Sequence, residues 1–378
     1  MTCMKCKELW KKYEQGTITS EEQEELENHI ETCTICEAYL DELLAKTEKT
    51  KKKLPPISNV QVPFWKIKWK HRLQTLSFLL AVCMAIYMVG GILSTIYFQV
   101  NDEQNLKEVT DVPALALQAT IPNSHIAGSG TNVEAFFRMH SDIHLAKTVG
   151  KKEFKLGTLQ VDSFFSSVRI EKQWAEAAYE QNLFFAHPKL KQTDHFKETS
   201  PKVWEALQKV HEGTVAELAI SFDKAYTLQE LEPILYSVFE AQEMPPTPVW
   251  YALDTGVEGV NEDDFPLSNF GFPDFIGRLD VEEKKLKTKE DEVLEMMRIL
   301  SNHEETVEKV TWLSKQELNM KKRYEYVKKN GVKVYGIVIT GPSKELLKLQ
   351  NSPHVRYATL GDIEPWNWFD RPISGYRH

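Results

Sequence analysis

The sequence predicts three parts of different class: a small all-α N-terminal domain, a single transmembrane helix, and an α+β region after it. Residues 73–101 contain no Asp, Glu, Lys or Arg. The five cysteines are divided by that stretch: Cys3, Cys6, Cys33 and Cys36 precede it, Cys83 lies inside it, and none follows. Beyond it, runs rich in β-branched and aromatic residues alternate with runs of helical periodicity.

Residues 1–44 read as two or three short helices. Leu9, Trp10 and Tyr13 form an apolar stripe at helical spacing, and Gly16 is a natural residue to end that helix. Ser20 with Gln23 reads as the capping-box start of a second helix running to about Glu31. Its apolar positions are sparse, Leu26 and Ile30, so a segment this small needs a staple. His29-x3-Cys33-x2-Cys36 supplies one. A spacing of four puts His29 and Cys33 on one helical face and Cys36 follows within a turn, so three soft ligands converge as tetrahedral Zn2+ requires. Cys3 or Cys6 is the fourth ligand; the four cysteines without His29 make an alternative set. Residues 1–42 carry four lysines against eleven acidic residues, which argues against nucleic acid as a direct partner.

Residues 45–72 form a basic, Pro-containing juxtamembrane linker. From Lys46 to Arg72 there are nine Lys or Arg against the single acid Glu48, with Pro55, Pro56 and Pro63 favouring an extended tether. Residues 73–98 are then long enough to cross the ~30 Å hydrocarbon core of a bilayer. Trp65 and Trp69 before the span, and Tyr97 and Phe98 at its exit, suit interfacial anchors. Basic residues precede the span and Asp102 and Glu103 follow it, which predicts a cytoplasmic N-terminus and an extracytoplasmic C-terminal part in the cell membrane. The run lies too deep in the chain for a cleaved leader. Cysteines kept as thiols suit a reducing cytosol, and a cysteine-free exported part relies on its own core. Gly90 and Gly91 suit either a helix contact, a weak point for cleavage, or lipid-facing filler. No charge lies in the span, which removes ion transport.

The exported part reads as two lobes, 99–199 and 200–378. Strands are expected at 213–222, 248–253 and 332–340, and helices at 290–310 and 315–329. Near the end a strand, a Gly341-Pro342 turn, a helix capped by Ser343 and a strand at 355–360 follow one another. No Gly-rich phosphate loop, nucleophile elbow or H-E-x-x-H is present, so no enzyme is expected. His140 and His144 can share a face, without a third metal ligand in view. Trp366, Trp368, Phe369 and Tyr376 suit either a ligand surface or aromatic packing.

At Tyr13-x2-Gly16, the acidic helix after it and His29-x3-Cys33-x2-Cys36, the chain resembles the zinc-binding anti-sigma domain. Alignment on Tyr13 puts Cys3 in the usual upstream ligand position; Cys6 is an addition to the pattern. GTVAELAISFDKAYTLQELEPIL, VWYALDTG and VYGIVITGPSKELLKL resemble the sigma-factor regulator N- and C-terminal regions of membrane anti-sigma proteins. The resemblance implies that the cytosolic domain sequesters an extracytoplasmic-function sigma factor. Its contact face would include Tyr39, Leu40, Leu43 and Leu44, and the exported part would couple a stimulus to release, with a regulatory protease as an open partner. From another class, CxxC pairs suit a membrane-tethered thiol switch. An envelope protein with a zinc-binding cytosolic anchor is a further alternative.

Overall fold

A computed structural model describes residues 2–49, 64–100, 105–165, 167–175, 183–191, 193–239, 244–258, 269–277, 279, 286–311 and 313–369. The chain divides within one long helix into two compact units, Met1–Leu80 and Ala81–His378.

The first unit opens with three helices: α1 (Cys3–Glu14), α2 (Ser20–Thr32) and α3 (Thr34–Lys49). Gly16 follows α1 with φ +66°, the left-handed conformation that glycine takes without strain. The capping box of α2 falls one residue earlier than the sequence suggests. Thr19 accepts the Glu22 N–H at 3.4 Å while the Glu22 carboxylate accepts the Thr19 N–H at 3.3 Å, and Ser20 is the first helical residue. Cys6, Leu9, Leu26 and Cys36 form the entire buried apolar core of this module among the described residues. The long helix α4 (Phe64–Val100) contains the apolar stretch Lys68–Phe98, which is long and apolar enough to cross a membrane. Both ends of the expected linker are helical, since α3 continues to Lys49 and α4 starts at Phe64; Pro55, Pro56 and Pro63 lie outside the described residues.

The second unit contains two antiparallel sheets. β1 (His125–Glu134), β2 (Arg138–Val149), β3 (Lys152–Phe164) and β4 (Ser167–Trp174) form a meander in that order, preceded by α5 (Asn105–Thr120). After α6 (Asp194–Lys209) come β5 (Thr214–Tyr226), α7 (Leu228–Phe239), β6 (Thr247–Leu253) and β7 (Gly271–Pro273). Then follow α8 (Lys289–Asn302), α9 (Glu304–Val310), α10 (Lys315–Leu318), α11 (Met320–Asn330), β8 (Val334–Pro342), α12 (Ser343–Leu346) and β9 (Val355–Pro365). The second sheet runs β7-β6-β8-β5-β9. β8 is buried throughout, which is why VYGIVIT is a continuous apolar run instead of an alternating one.

Several expectations shift. The helix expected over 290–310 breaks at His303, and that over 315–329 breaks at Asn319, which takes φ +43°. Gly341 and Pro342 belong to β8, and Ser343 is the first residue of α12 rather than its cap. A division at 199/200 falls inside α6, and one apolar core takes in Met139, Ile143 and Leu159 of the first sheet with Leu218, Ile220 and Ile337 of the second. The two sheets also meet through buried charge. Lys147 of β2 reaches Glu217 of β5 at 3.2 Å and Asp362 of β9 at 2.6 Å, and Asn123 donates to the same Glu217. Burial opposes the Lys147 charge, but the two carboxylates outweigh it and hold its pKa above the ordinary value.

Candidate metal centre

The three helices of the first unit bring one imidazole and three thiols to a point. Cys3 opens α1, His29 lies in the last turn of α2, Cys33 is the C-cap of α2, and Cys36 sits in the first turn of α3. A ligand atom from each lies within 4.8 Å of every other. The Cys3 and Cys33 sulfurs are 3.7 Å apart. Two thiolates at about 2.3 Å from a tetrahedral zinc stand about 3.8 Å from one another, so the spacing fits that ion. The fit is also chemical. His29 Nε2 is buried without a hydrogen-bond partner, a costly state for an imidazole nitrogen that a metal would resolve.

The thiols are unequal. The Cys36 backbone N–H and then the Cys3 thiol hold the Cys33 pKa below the ordinary value, whereas the Cys33 thiol raises that of Cys3 and burial raises that of Cys36. Cys6 touches Cys36 from the apolar core beside Leu9 and Leu26 and stands outside the group of four.

Of the expected contact face, Tyr39, Leu40 and Leu43 are half-buried, and the Leu44 side chain lies outside the described residues. Lys7 Nζ sits 4.7 Å from the centre of the Tyr39 ring. More exposed are Met4 at 81% and Ile35 at 71%, each next to a cysteine of the cluster. Sequence reasoning passed over both. The available signal was an apolar residue set between ligand-spaced cysteines, where chain geometry forbids it to turn inward.

The two histidines are taken up in polar pairing, and of the terminal aromatic residues one is packed. His140 is engaged by Asp162 at 2.6 Å and Asp142 at 3.1 Å, and His144 by the Thr158 hydroxyl at 3.2 Å. Trp368 is buried and donates to the Met244 carbonyl at 3.1 Å, Trp366 and Phe369 are exposed, and Tyr376 lies outside the described residues.

Residues 65–154 match the sigma factor regulator N-terminal family and residues 207–362 the sigma factor regulator C-terminal family. The chain is 24% identical over 371 residues to a "Probable anti-sigma-M factor YhdL" of Bacillus subtilis (strain 168), covering 96% of this chain and 98% of that protein. No solved structure matches. The paired regions take in more than half of the chain, on either side of the interval that holds β4, and the relative extends the likeness to nearly its full length. The chain therefore belongs to the sigma factor regulators, a family of membrane anti-sigma factors.

Proposed function

We propose that this protein is a membrane-anchored anti-sigma factor whose zinc-bound N-terminal module holds an extracytoplasmic-function sigma factor in the cytoplasm. In this reading the C-terminal unit lies outside the cell and couples a stimulus to release. The observation that carries it is the unpartnered His29 nitrogen among three thiols, in a module with only four buried apolar side chains among its described residues, on a chain of this family. Cys3, His29, Cys33 and Cys36 hold the zinc, and Cys6 packs. The ion supplies the cross-link that joins α1, α2 and α3; apparent binding energies of about 10–16 kcal/mol for such structural sites suffice to hold a fold that its apolar residues cannot. Cross-linking in turn fixes the directions of Tyr39, Leu40 and Leu43 on α3, and of Met4 and Ile35 beside the site, as an apolar face for a partner. The basic residues before the span support the cytoplasmic placement of the module.

The test is co-purification of the full chain, in detergent, with sigma factors of its host, alongside zinc content. Wild type and Cys6→Ser should retain both; Cys3→Ser, His29→Ala and Cys33→Ser should lose both. Zinc without any sigma factor would remove the sequestration reading. Wild-type protein without zinc would instead favour the thiol switch, for which the close Cys3 and Cys33 sulfurs provide a pair.

A further inference from the structure

We infer that the two hairpin tips of the first sheet are immersed in the membrane, beside the half of α4 nearest the second unit's sheets, and are solvated there by lipid acyl chains. The inference rests on the reading of α4 as a membrane span. It goes beyond a single-helix anchor, because it makes the β-sheet itself a membrane-contacting element.

The tips are Ala135, Phe136 and Phe137 between β1 and β2, and Phe165 after β3. Hairpin turns in water place Gly, Asn or Asp where φ is positive. Here Phe136, Phe137 and Phe165 hold φ of +64°, +58° and +52°. Left-handed backbone is unfavourable for an L-residue, so these aromatic side chains occupy positions that a solvated turn disfavours.

Depth follows from their contacts. A Cβ placed on Gly90 would stand 3.1 Å from the Phe136 ring, so the ring lies on the helix at that level. The Tyr87 ring meets the same side chain edge-on at 6.3 Å. Gly90 precedes Phe98, at the end of the apolar stretch, by about 12 Å along the axis at a rise of ~1.5 Å per residue. With the interface at Tyr97 and Phe98, the aromatic pair that ends the apolar stretch, a ring that touches Gly90 and Tyr87 sits below it. Higher up, Tyr97 packs against Phe137 at 5.4 Å and Phe165 at 5.8 Å, and those two rings stack at 4.5 Å.

Non-helical backbone at membrane depth must be satisfied within the protein. Two tip N–H groups and two tip carbonyls meet it here. The Phe137 N–H donates to Ser94 Oγ at 2.7 Å, and Ser94 donates in turn to the Gly90 carbonyl at 2.8 Å. The Phe165 N–H donates to the Phe137 carbonyl at 2.9 Å, and Ser163 Oγ donates to the Phe165 carbonyl at 2.8 Å. While these polar groups are turned inward, Phe136, Phe164 and Phe165 remain 49%, 52% and 42% exposed, and Val89, Ile92, Leu93 and Ile96 of the adjoining α4 are exposed as well. An apolar patch adjoining a span is suited to lipid. Arg138 lies 5.9 Å from the Phe164 ring, where a long cationic side chain can reach headgroup phosphates.

The test places p-benzoylphenylalanine singly at 136, 164, 92 and 236 in the full chain, reconstituted in phosphatidylethanolamine–phosphatidylglycerol vesicles, with mass analysis after irradiation. Position 92 reports the span, and Tyr236 is an exposed aromatic on α7. Phospholipid adducts at 136, 164 and 92 but not at 236 are expected. Adducts at 92 alone would place the tips in water and overturn the inference while leaving the span intact. Cross-links from 136 to a second copy of the chain would overturn it in favour of a dimer contact. Absence of lipid adducts at 92 would remove the span, and the inference with it.

Discussion

Replacing Lys147 by Met tests how the two sheets of the second unit are held together. The side chains of Lys147 and Glu217 are each 1% exposed, whereas that of Asp362 is 32% exposed. Met retains most of the aliphatic stem, so the substitution removes the charge and little packing. Breaking a buried ion pair by deleting one partner costs about 3–5 kcal/mol, because the other charge is left uncompensated. Glu217 keeps two donors, the Asn123 amide and the Asp362 N–H at 3.3 Å, and Asp362 can turn to water. The loss should therefore lie near the lower end, about 3 kcal/mol. Urea unfolding of the purified full chain in detergent, followed by tryptophan fluorescence, would read it. Lys147→Met with Glu217→Gln leaves no buried charge at this point and should recover at least half of the loss. A single substitution costing no more than about 1 kcal/mol, the range of exposed pairs, would refute the reasoning. So would a double variant whose losses simply add.

Removal of zinc by a strong chelator should abolish the far-ultraviolet helical signal of α1 to α3 and leave the β signal of the second unit, as circular dichroism can show. Thr19→Ala should cost the N-terminal module about 1 kcal/mol, whereas Ser20→Ala should cost little, because only Thr19 caps α2; thermal melts of the zinc-bound protein distinguish them. Gly361→Ala would drive a Cβ into the Glu217 side chain, so a loss of about 1–3 kcal/mol in urea unfolding is expected. The Asp162 carboxylate, then Asp142, raises the His140 pKa above its ordinary value despite partial burial. A raised imidazole pKa adds stability that is fully present below about pH 6.5 and is lost as pH climbs through the folded-state value. Asp162→Asn should move the His140 midpoint down in an NMR titration; an unmoved midpoint would dismiss the pairing.

What could be read in advance followed the strength of local signals. His29, Cys33 and Cys36 were legible because metal chemistry imposes fixed spacing within one helix and its following turn. The choice between Cys3 and Cys6 was not, since both lie one turn apart on α1 and only the packing of Leu9 and Leu26 separates the core side from the cluster side. β5, β6 and β8 were visible as apolar runs, β8 and most of β5 because they are buried on both faces. The meander β1 to β4 escaped notice. Its strands alternate, with Met139, Ser141, Ile143 and Leu145 inward and His140, Asp142 and His144 outward, and a buried Lys147 interrupts the apolar reading. The breaks at His303 and Asn319 were likewise hidden, because tertiary packing ends helices that periodicity alone would continue.

The central strands of the meander also fix a distance. β2 has 12 residues and β3 has 13, and at ~3.3 Å per residue each runs about 40 Å. One end of this pair is bonded to Ser94 of α4. At the other, the Gly150 N–H donates to Thr340 of β8 at 2.6 Å and the Lys151 N–H to Asn367 at 2.8 Å. A paired antiparallel ladder resists stretching, because cross-strand bonds hold its residues in register on either side of the irregularity at Leu145 and Ala146. The separation between α4 and β8 is thus set by strand length and not by a slack tether. The paired strands act as a spacer between α4 and β8, and deleting two residues from each would shorten it by about 7 Å.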